Sequence, residues 1–433
     1  MSLALPSHLS IKNGHLMTGM HDLVDLAAQY RTPLFVTNED QILSNYESFA
    51  SALSSYYPRT RLLFAAKANG NLAVLRALAG LGAGADVFSS GELELALRAG
   101  MRPEHLLFNG SSKSSEDLRQ AVETGVRVSV DSLDELHQLS KVASDQKKTV
   151  NIAFRVNPAL EVPTHPKIAT GLATTKFGIP ADEILAAYQA AIDAQYIVPV
   201  GMHCHIGSQI LDVEPFARAA GVMTDVAGEV TDIGVNLEFL DIGGGLGVPY
   251  HRATDVAPTP QEYAAAVMPV FLEGIERIGI SPELWVEPGR WLLADTTVLL
   301  TRVNSVKRAF KTFANVDAGF NLLIRPAMYD SWHEVIMANK ADRPGEEEVT
   351  VAGPICETGD ILAHDRLLPT PEAGDLIAVL DTGAYGFAMS SQYNGRPRPP
   401  ELMVKGDRAE IIRRGETIDD LCAMMAIPSW QQE

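Results

Sequence analysis

The chain has 433 residues, with 35 Lys and Arg against 54 Asp and Glu, a formal charge of −19. An acidic surplus of this size argues against a nucleic-acid partner, because holding phosphates needs a basic face. With 46% hydrophobic and 21% charged residues the chain is neither disordered nor collagen-like and has apolar material for two cores. Three distant cysteines, Cys204, Cys356 and Cys422, fit a reduced compartment better than a disulfide framework. No apolar run approaches the roughly 18 to 20 residues of a membrane helix, and the N-terminus lacks the pattern of a secretory signal. The expectation is a cytoplasmic protein without a membrane partner.

The first ~35 residues hold strand-like pieces at Leu9–Lys12, His15–Met17 and Leu34–Thr37. From about residue 60 to residue 290, β-rich runs alternate with amphipathic Ala/Leu-rich stretches, the pattern of repeated βα units. The runs are Leu62–Ala66, Ala85–Phe88, Leu106–Asn109, Arg127–Val130, Asn151–Val156, Val198–Cys204, Leu237–Ile242 and Leu284–Glu287. Helices are predicted between them at Leu72–Leu81, Gly91–Ala99, Ser115–Thr124, Leu133–Ser144, Ala181–Ala194, Glu214–Ile233 and Gln261–Ile278. Eight strands with intervening helices suit a (β/α)8 TIM-type barrel. Beyond residue 290 the predicted elements are strands: Thr296–Lys307, Phe313–Val316, Val335–Met337, Glu348–Ala352, Leu376–Asp381, Leu402–Lys405 and Ala409–Arg414. The fold expected is α/β plus all-β: a barrel over 38–290, and a β-sandwich or β-barrel-like domain from 1–37 and 291–433. The insertion at 163–175 after the fifth strand is a candidate lid.

In such a barrel the active site lies at the C-terminal strand ends, so the residues after each run form one ring. That ring contains Lys67, Asp86, His203, His205, Ser208, the Gly243-Gly244-Gly245 turn, Glu287, Gly289 and Arg290. Lys67 follows an apolar strand, where desolvation favours a neutral amine able to form a Schiff base. The glycine turn lacks the spacing and the following helix of a dinucleotide fingerprint, yet its backbone N–H groups, with the Ser208 hydroxyl, suit one phosphate. One phosphate beside one reactive lysine points to pyridoxal phosphate, whose ring nitrogen stays protonated only beside an anion; Glu287 is placed to be it. His205 can stack on the ring. His203 and His205 also resemble a metal pair, but no third ligand of suitable spacing is evident, and no metal is expected. In the β-domain, Cys356 followed by Glu357 in a loop is an unusual place for an inert thiol.

Six motifs stand in order: Phe64-Ala65-Ala66-Lys67-Ala68-Asn69, His203-Cys204-His205-Ile206-Gly207-Ser208-Gln209-Ile210, Asp241-Ile242-Gly243-Gly244-Gly245, Glu287-Pro288-Gly289-Arg290, Cys356-Glu357 and Gly383-Ala384-Tyr385-Gly386. Together they resemble, from Pro33 to about Leu421, the pyridoxal-phosphate decarboxylases with an alanine-racemase-like barrel. Within that family they are similar to the members acting on meso-diaminopimelate. The resemblance implies an imine between Lys67 and the cofactor, ring stacking by His205, and phosphate contacts from Ser208 and Gly243–Gly245. It also implies Glu287 at the pyridine nitrogen, with Cys356 as proton donor and Tyr385 near the cofactor, both from the second subunit of a homodimer with composite sites. Arg290, Arg325 and Tyr329 match the positions that meet the distal carboxylate of the amino-acid substrate, for which a guanidinium fork is well suited. Glu357 matches the position that receives the distal ammonium. The implied activity is decarboxylation to L-lysine and carbon dioxide, the last step of lysine biosynthesis. Tyr329-Asp330 is also similar to an acidic motif of ornithine decarboxylases. A relative acting on ornithine, arginine, a carboxylated polyamine such as carboxynorspermidine or a carrier-bound amino acid is the alternative, followed by a non-catalytic regulatory homologue.

Overall fold

The computed structural model describes residues 5–160, 162, 170–171 and 175–432. The expected lid over 163–175 lies for the most part outside them. The chain divides into two compact units, Ile42–Pro249 with Asp255–Leu292, and Met1–Gln41 with Tyr250–Thr254 and Leu293–Glu433.

In the first unit eight parallel strands run Thr60–Ala65, Gly84–Val87, Leu106–Phe108, Arg127–Val130, Val150–Asn157, Ile197–His203, Phe239–Asp241 and Glu283–Val286. Each pairs with the next, and the eighth pairs with the first, Leu284 against Thr60 and Val286 against Leu62, closing the ring. The helices between are fixed by local chemistry. Ser115–Thr124 opens with a reciprocal Ser114/Asp117 capping box, buries Leu118, Ala121 and Val122 at helical spacing, and stops at left-handed Gly125. Pro260–Ile278 repeats the device with Thr259, Glu262 and Gly279. Inside the barrel Leu63, Leu107, Ala153, Val200, Phe239 and Trp285 form a buried layer, with the last two rings stacked at 3.8 Å. Gly201 makes room for that stack, because a Cβ there would lie 2.2 Å from the Phe239 ring. The helix Glu39–Ser54, absent from the sequence expectation, precedes the first barrel strand.

The second unit is built on a nine-stranded sheet. Its long strand Thr297–Arg308 pairs antiparallel with Leu34–Asn38, Thr312–Val316 and Leu376–Val379. Alternation along it buries both faces: Val298 and Leu300 join one core with Leu34 and Val36, while Leu299 and Val303 join the other with Phe35 and Ile377. Of the N-terminal strand pieces, only Leu34–Asn38 enters this sheet. Leu9–Lys12 and His15–Thr18 pair with each other and, through His21–Asp22, form a separate three-stranded sheet. Ile361–Leu368 adds a strand that the sequence reading lacks. Tyr250–Thr254, within the stretch expected as barrel, belongs to the β-rich unit, where Arg252 forms a two-pronged ion pair with Asp381. Among the described residues no helix is long and apolar enough to cross a membrane.

Candidate active site

The carboxyl ends of the barrel strands bring most of the expected ring together. The first strand ends in a 3₁₀ turn, Ala66–Ala68, that presents Lys67. Its Nζ donates to Asp86 Oδ2 at 2.6 Å and lies 4.5 Å from the Phe88 ring centre. Lys67 is therefore not isolated among apolar neighbours, as its flanks imply, but paired with a fully buried acid. Asp86 accepts at its other oxygen from Asn109 Nδ2 at 2.6 Å, and the same amide reaches Glu287 Oε1 at 3.1 Å. A polar chain thus crosses the barrel floor from the amine on strand one to the acid on strand eight. Burial raises the Asp86 carboxyl above its usual range, the charge of Glu287 adds to this, and Lys67 opposes it.

Glu287 is 3% exposed. Burial alone would push its carboxyl up, but His203, ahead of Lys67 and His205, holds it at about 2. His203 Nδ1 shares a hydrogen bond with Ser129 Oγ at 2.9 Å, and its Nε2 lies 3.3 Å from Glu287 Oε1 without the alignment of a hydrogen bond. His205 Nδ1 accepts the N–H of Gly244 at 3.1 Å, which leaves that nitrogen unprotonated. Burial, with Lys67 next, lowers the His205 pKa to about 3, so the ring is neutral at physiological pH.

The glycine turn is closely packed. Gly243 and Gly245 have φ of +75° and +121°, and a Cβ on Gly244 would lie 1.9 Å from the Glu287 carbonyl oxygen. The N–H of Gly243 is engaged by Asp241 Oδ1 at 2.8 Å and that of Gly244 by His205, so two of the three expected phosphate donors serve neighbouring side chains. Arg290 donates to Ser208 Oγ at 2.9 Å, placing a hydroxyl beside a guanidinium. Gly289 packs on the first strand, where a Cβ would meet the Ala65 Cβ at 2.9 Å.

Sequence reasoning underrated several of these residues. Asn109 ends the third predicted strand and His203 reads as half of a metal pair, and neither shows its place beside Glu287 in the sequence. Arg155, buried with its guanidinium 4.4 Å from the Phe177 ring centre, had no local signal. The objection to a metal, that no third ligand has suitable spacing, does not survive folding. Donor atoms of His203, Asp241 and Glu287 lie within 4.8 Å of one another. One atom of each is engaged within the protein, by Ser129, Gly243 and Asn109 respectively, while His203 Nε2 and Asp241 Oδ2 have no hydrogen-bond partner among the described residues.

In the β-rich unit, Arg325 is buried, bonds to His333 Nε2 at 2.9 Å and Ser331 Oγ at 3.2 Å, and stacks 4.2 Å from the Tyr250 ring centre. Tyr329 ends the same short helix, Arg325–Tyr329, and is half-buried. Cys356 and Glu357 are exposed. Asn394 brackets the cysteine, its amide nitrogen 3.2 Å from Sγ and its oxygen accepting the Cys356 N–H at 2.9 Å, and Tyr393 donates to Glu357 at 2.7 Å. Tyr385 has φ of +58°, a conformation rare for a bulky side chain and common where geometry serves function.

Residues 39–294 match the family model described as pyridoxal-dependent decarboxylase, pyridoxal binding domain. A diaminopimelate decarboxylase of Archaeoglobus fulgidus is 51% identical over 97% of this chain and 99% of its own. The chain belongs to the diaminopimelate decarboxylase family. A relative of the same name from Pseudomonas aeruginosa is 42% identical over 92% of this chain and 94% of its own. The crystal structure of the Methanocaldococcus jannaschii diaminopimelate decarboxylase in complex with L-lysine superposes with a TM-score of 0.93, at 36% identity and 98% coverage of both chains.

Proposed function

We propose that this chain removes one α-carboxylate from diaminopimelate, releasing carbon dioxide and lysine, with pyridoxal phosphate held at the strand ends of the barrel. The observation that carries the reading is the hydrogen-bonded chain Lys67–Asp86–Asn109–Glu287, which sets a nucleophilic amine and a charged carboxylate on one floor. When bound, pyridoxal phosphate supplies an electron-accepting ring for the pair released as the carboxylate departs.

The chain's own residues do the rest. Asp86, with its raised proton affinity and an oxygen 2.6 Å from Nζ, takes the proton that Lys67 must lose to become a nucleophile. Glu287 keeps its charge in a buried place and so favours a protonated ring nitrogen. His205, neutral and oriented by the Gly244 N–H, offers a ring face that adds no competing positive charge. Ser208, Arg290 and the backbone at Gly245 and Gly289 receive the phosphate, while Gly243 and Gly244 shape the turn. Arg290, Arg325 and Tyr329 take the distal carboxylate of the substrate and Glu357 its distal ammonium. Cys356 returns a proton to the α-carbon from a second subunit, with Tyr385 beside it, so the catalytic unit is a homodimer with composite sites in the cytoplasm.

The test supplies the purified protein with pyridoxal phosphate and a panel of diaminopimelate, ornithine, arginine and lysine, measuring carbon dioxide and identifying the amine. Turnover of diaminopimelate to lysine is expected. Preference for ornithine or arginine would refute the substrate assignment. Mixing the inactive Lys67→Ala and Cys356→Ala variants should restore partial activity; no recovery under exchange conditions would refute the composite site.

A further inference from the structure

Asp241 ends the seventh barrel strand, is fully buried, and has been assigned no part in the chemistry above. Its Oδ1 holds the Gly243 N–H, while Oδ2, also buried, has no hydrogen-bond partner among the described residues. One of its oxygens lies within 4.8 Å of both a Glu287 oxygen and a His203 nitrogen. The charged and titratable groups around this cluster are Lys67 and Asp86 from the first two strands, Arg155 from the fifth, and His203, Cys204 and His205 from the sixth. Glu287 of the eighth strand and Tyr263 of the outer helix complete it.

Two carboxylates this close and shut off from water do not both ionise. The surroundings decide which yields. Glu287 accepts from Asn109 and faces His203 at 3.3 Å, both of which favour its charge. Asp241 has one backbone N–H and no cation so near. Burial, with the charge of Glu287 second, pushes the Asp241 carboxyl well above the usual carboxylate range.

We propose that Asp241 is a positioning residue acting as a neutral acid, its proton on Oδ2 directed at the Glu287 carboxylate while Oδ1 holds the Gly243 N–H. One side chain then ties the glycine turn to the anion assigned to the cofactor's ring nitrogen. This rests on the assignment of Glu287 made above. It also accounts for an otherwise orphaned buried oxygen, since a proton turns an unpaired acceptor into a donor, and a Glu287 oxygen lies within 4.8 Å of the Asp241 carboxylate.

Asp241→Asn is the isostere of the protonated form: it keeps the acceptor for Gly243 and a donor toward Glu287. The inference predicts that this variant binds pyridoxal phosphate within about threefold of wild type and shows the same visible cofactor band across the pH range. Asp241→Ala, leaving the Gly243 N–H and one side of Glu287 unsupported, weakens binding by about tenfold or more. Infrared spectra of the cofactor-free protein should contain a protonated-carboxyl stretch that disappears in Asp241→Asn, a readout that survives even if the alanine variant does not fold. The inference is overturned if Asp241→Asn binds as poorly as Asp241→Ala, if no such stretch is lost, or if elemental analysis finds one divalent metal per wild-type chain that Asp241→Asn lacks. A wild-type protein that forms no visible band with pyridoxal phosphate overturns the functional reading instead, while the infrared result still decides the proton.

Discussion

Replacing Glu287 with glutamine keeps its shape and its contact with Asn109 but removes the anion. The surroundings lower the Glu287 pKa from 4.5 to about 2, and at 1.36 kcal/mol per unit the difference of 2.5 corresponds to about 3 kcal/mol favouring the charged form. A cation at the adjoining ring nitrogen loses that partner in the variant. An opposite charge at such range typically shifts a pKa by about 1 to 3 units, or about 1.4 to 4 kcal/mol. Decarboxylation that depends on a protonated ring is therefore expected to slow by about 10- to 1,000-fold in kcat. Cofactor attachment should persist, because Lys67 and Asp86 are untouched. The assay is steady-state carbon dioxide release from diaminopimelate, with the visible cofactor band recorded in parallel. A Glu287→Gln variant that keeps its band and turns over within about threefold of wild type would refute the role of the acid, since the pairing energy quoted above demands at least tenfold.

Three further outcomes follow from the same geometry. His205 has its pKa lowered to about 3 from 6.5, so it disfavours protonation when folded. Its contribution to apoprotein stability is complete above about pH 6.5 and is lost as pH falls toward 3, and between pH 6.5 and 5 the loss is about 2 kcal/mol. Urea unfolding of wild type and His205→Gln at pH 7.5 and 5.0 should therefore converge at the lower pH, and a constant gap would contradict this. Gly244→Ala puts a Cβ 1.9 Å from the Glu287 carbonyl oxygen, whereas a Cβ on Gly80 meets nothing within 4 Å. The first change is expected to cost about 1 to 3 kcal/mol and most cofactor affinity, the second neither; equal urea midpoints and equal cofactor titrations for the two variants would contradict the packing argument. Cys356→Ala should lower kcat by about 100-fold or more with little change in KM, and unaltered turnover would remove the thiol from the reaction.

The barrel is readable in the sequence because its strands are short apolar runs, five of the eight followed directly by Gly, Asn, Asp or Pro, and each of the eight runs falls on an observed strand. The helix Glu39–Ser54 escaped because Ile42, Tyr46, Phe49 and Leu53, although helically spaced and buried, are diluted by Ser44, Asn45, Ser48 and Ser51. Ile361–Leu368 escaped for a different reason: His364-Asp365-Arg366 interrupts its apolar pattern, as an end strand tolerates, and Asp365 bends it with a φ of +51°. The ring residues were found because the fold places its chemistry at known strand ends. Their connections were not legible. That Asn109 joins Asp86 to Glu287, that Gly244 orients His205 rather than standing open, and that Asn394 holds Cys356 are all pairings across 23 to 178 residues. Only the closed structure brings those partners together.

The amine of Lys67, and no other, is expected to carry the cofactor. Reducing the pyridoxal phosphate-loaded protein with sodium borohydride, digesting it, and locating the pyridoxyl group by mass spectrometry tests this directly. The label is expected on the peptide containing Lys67 and on none in Lys67→Ala. A label on another lysine, such as the buried Lys113, or one that persists in the variant, would contradict the account.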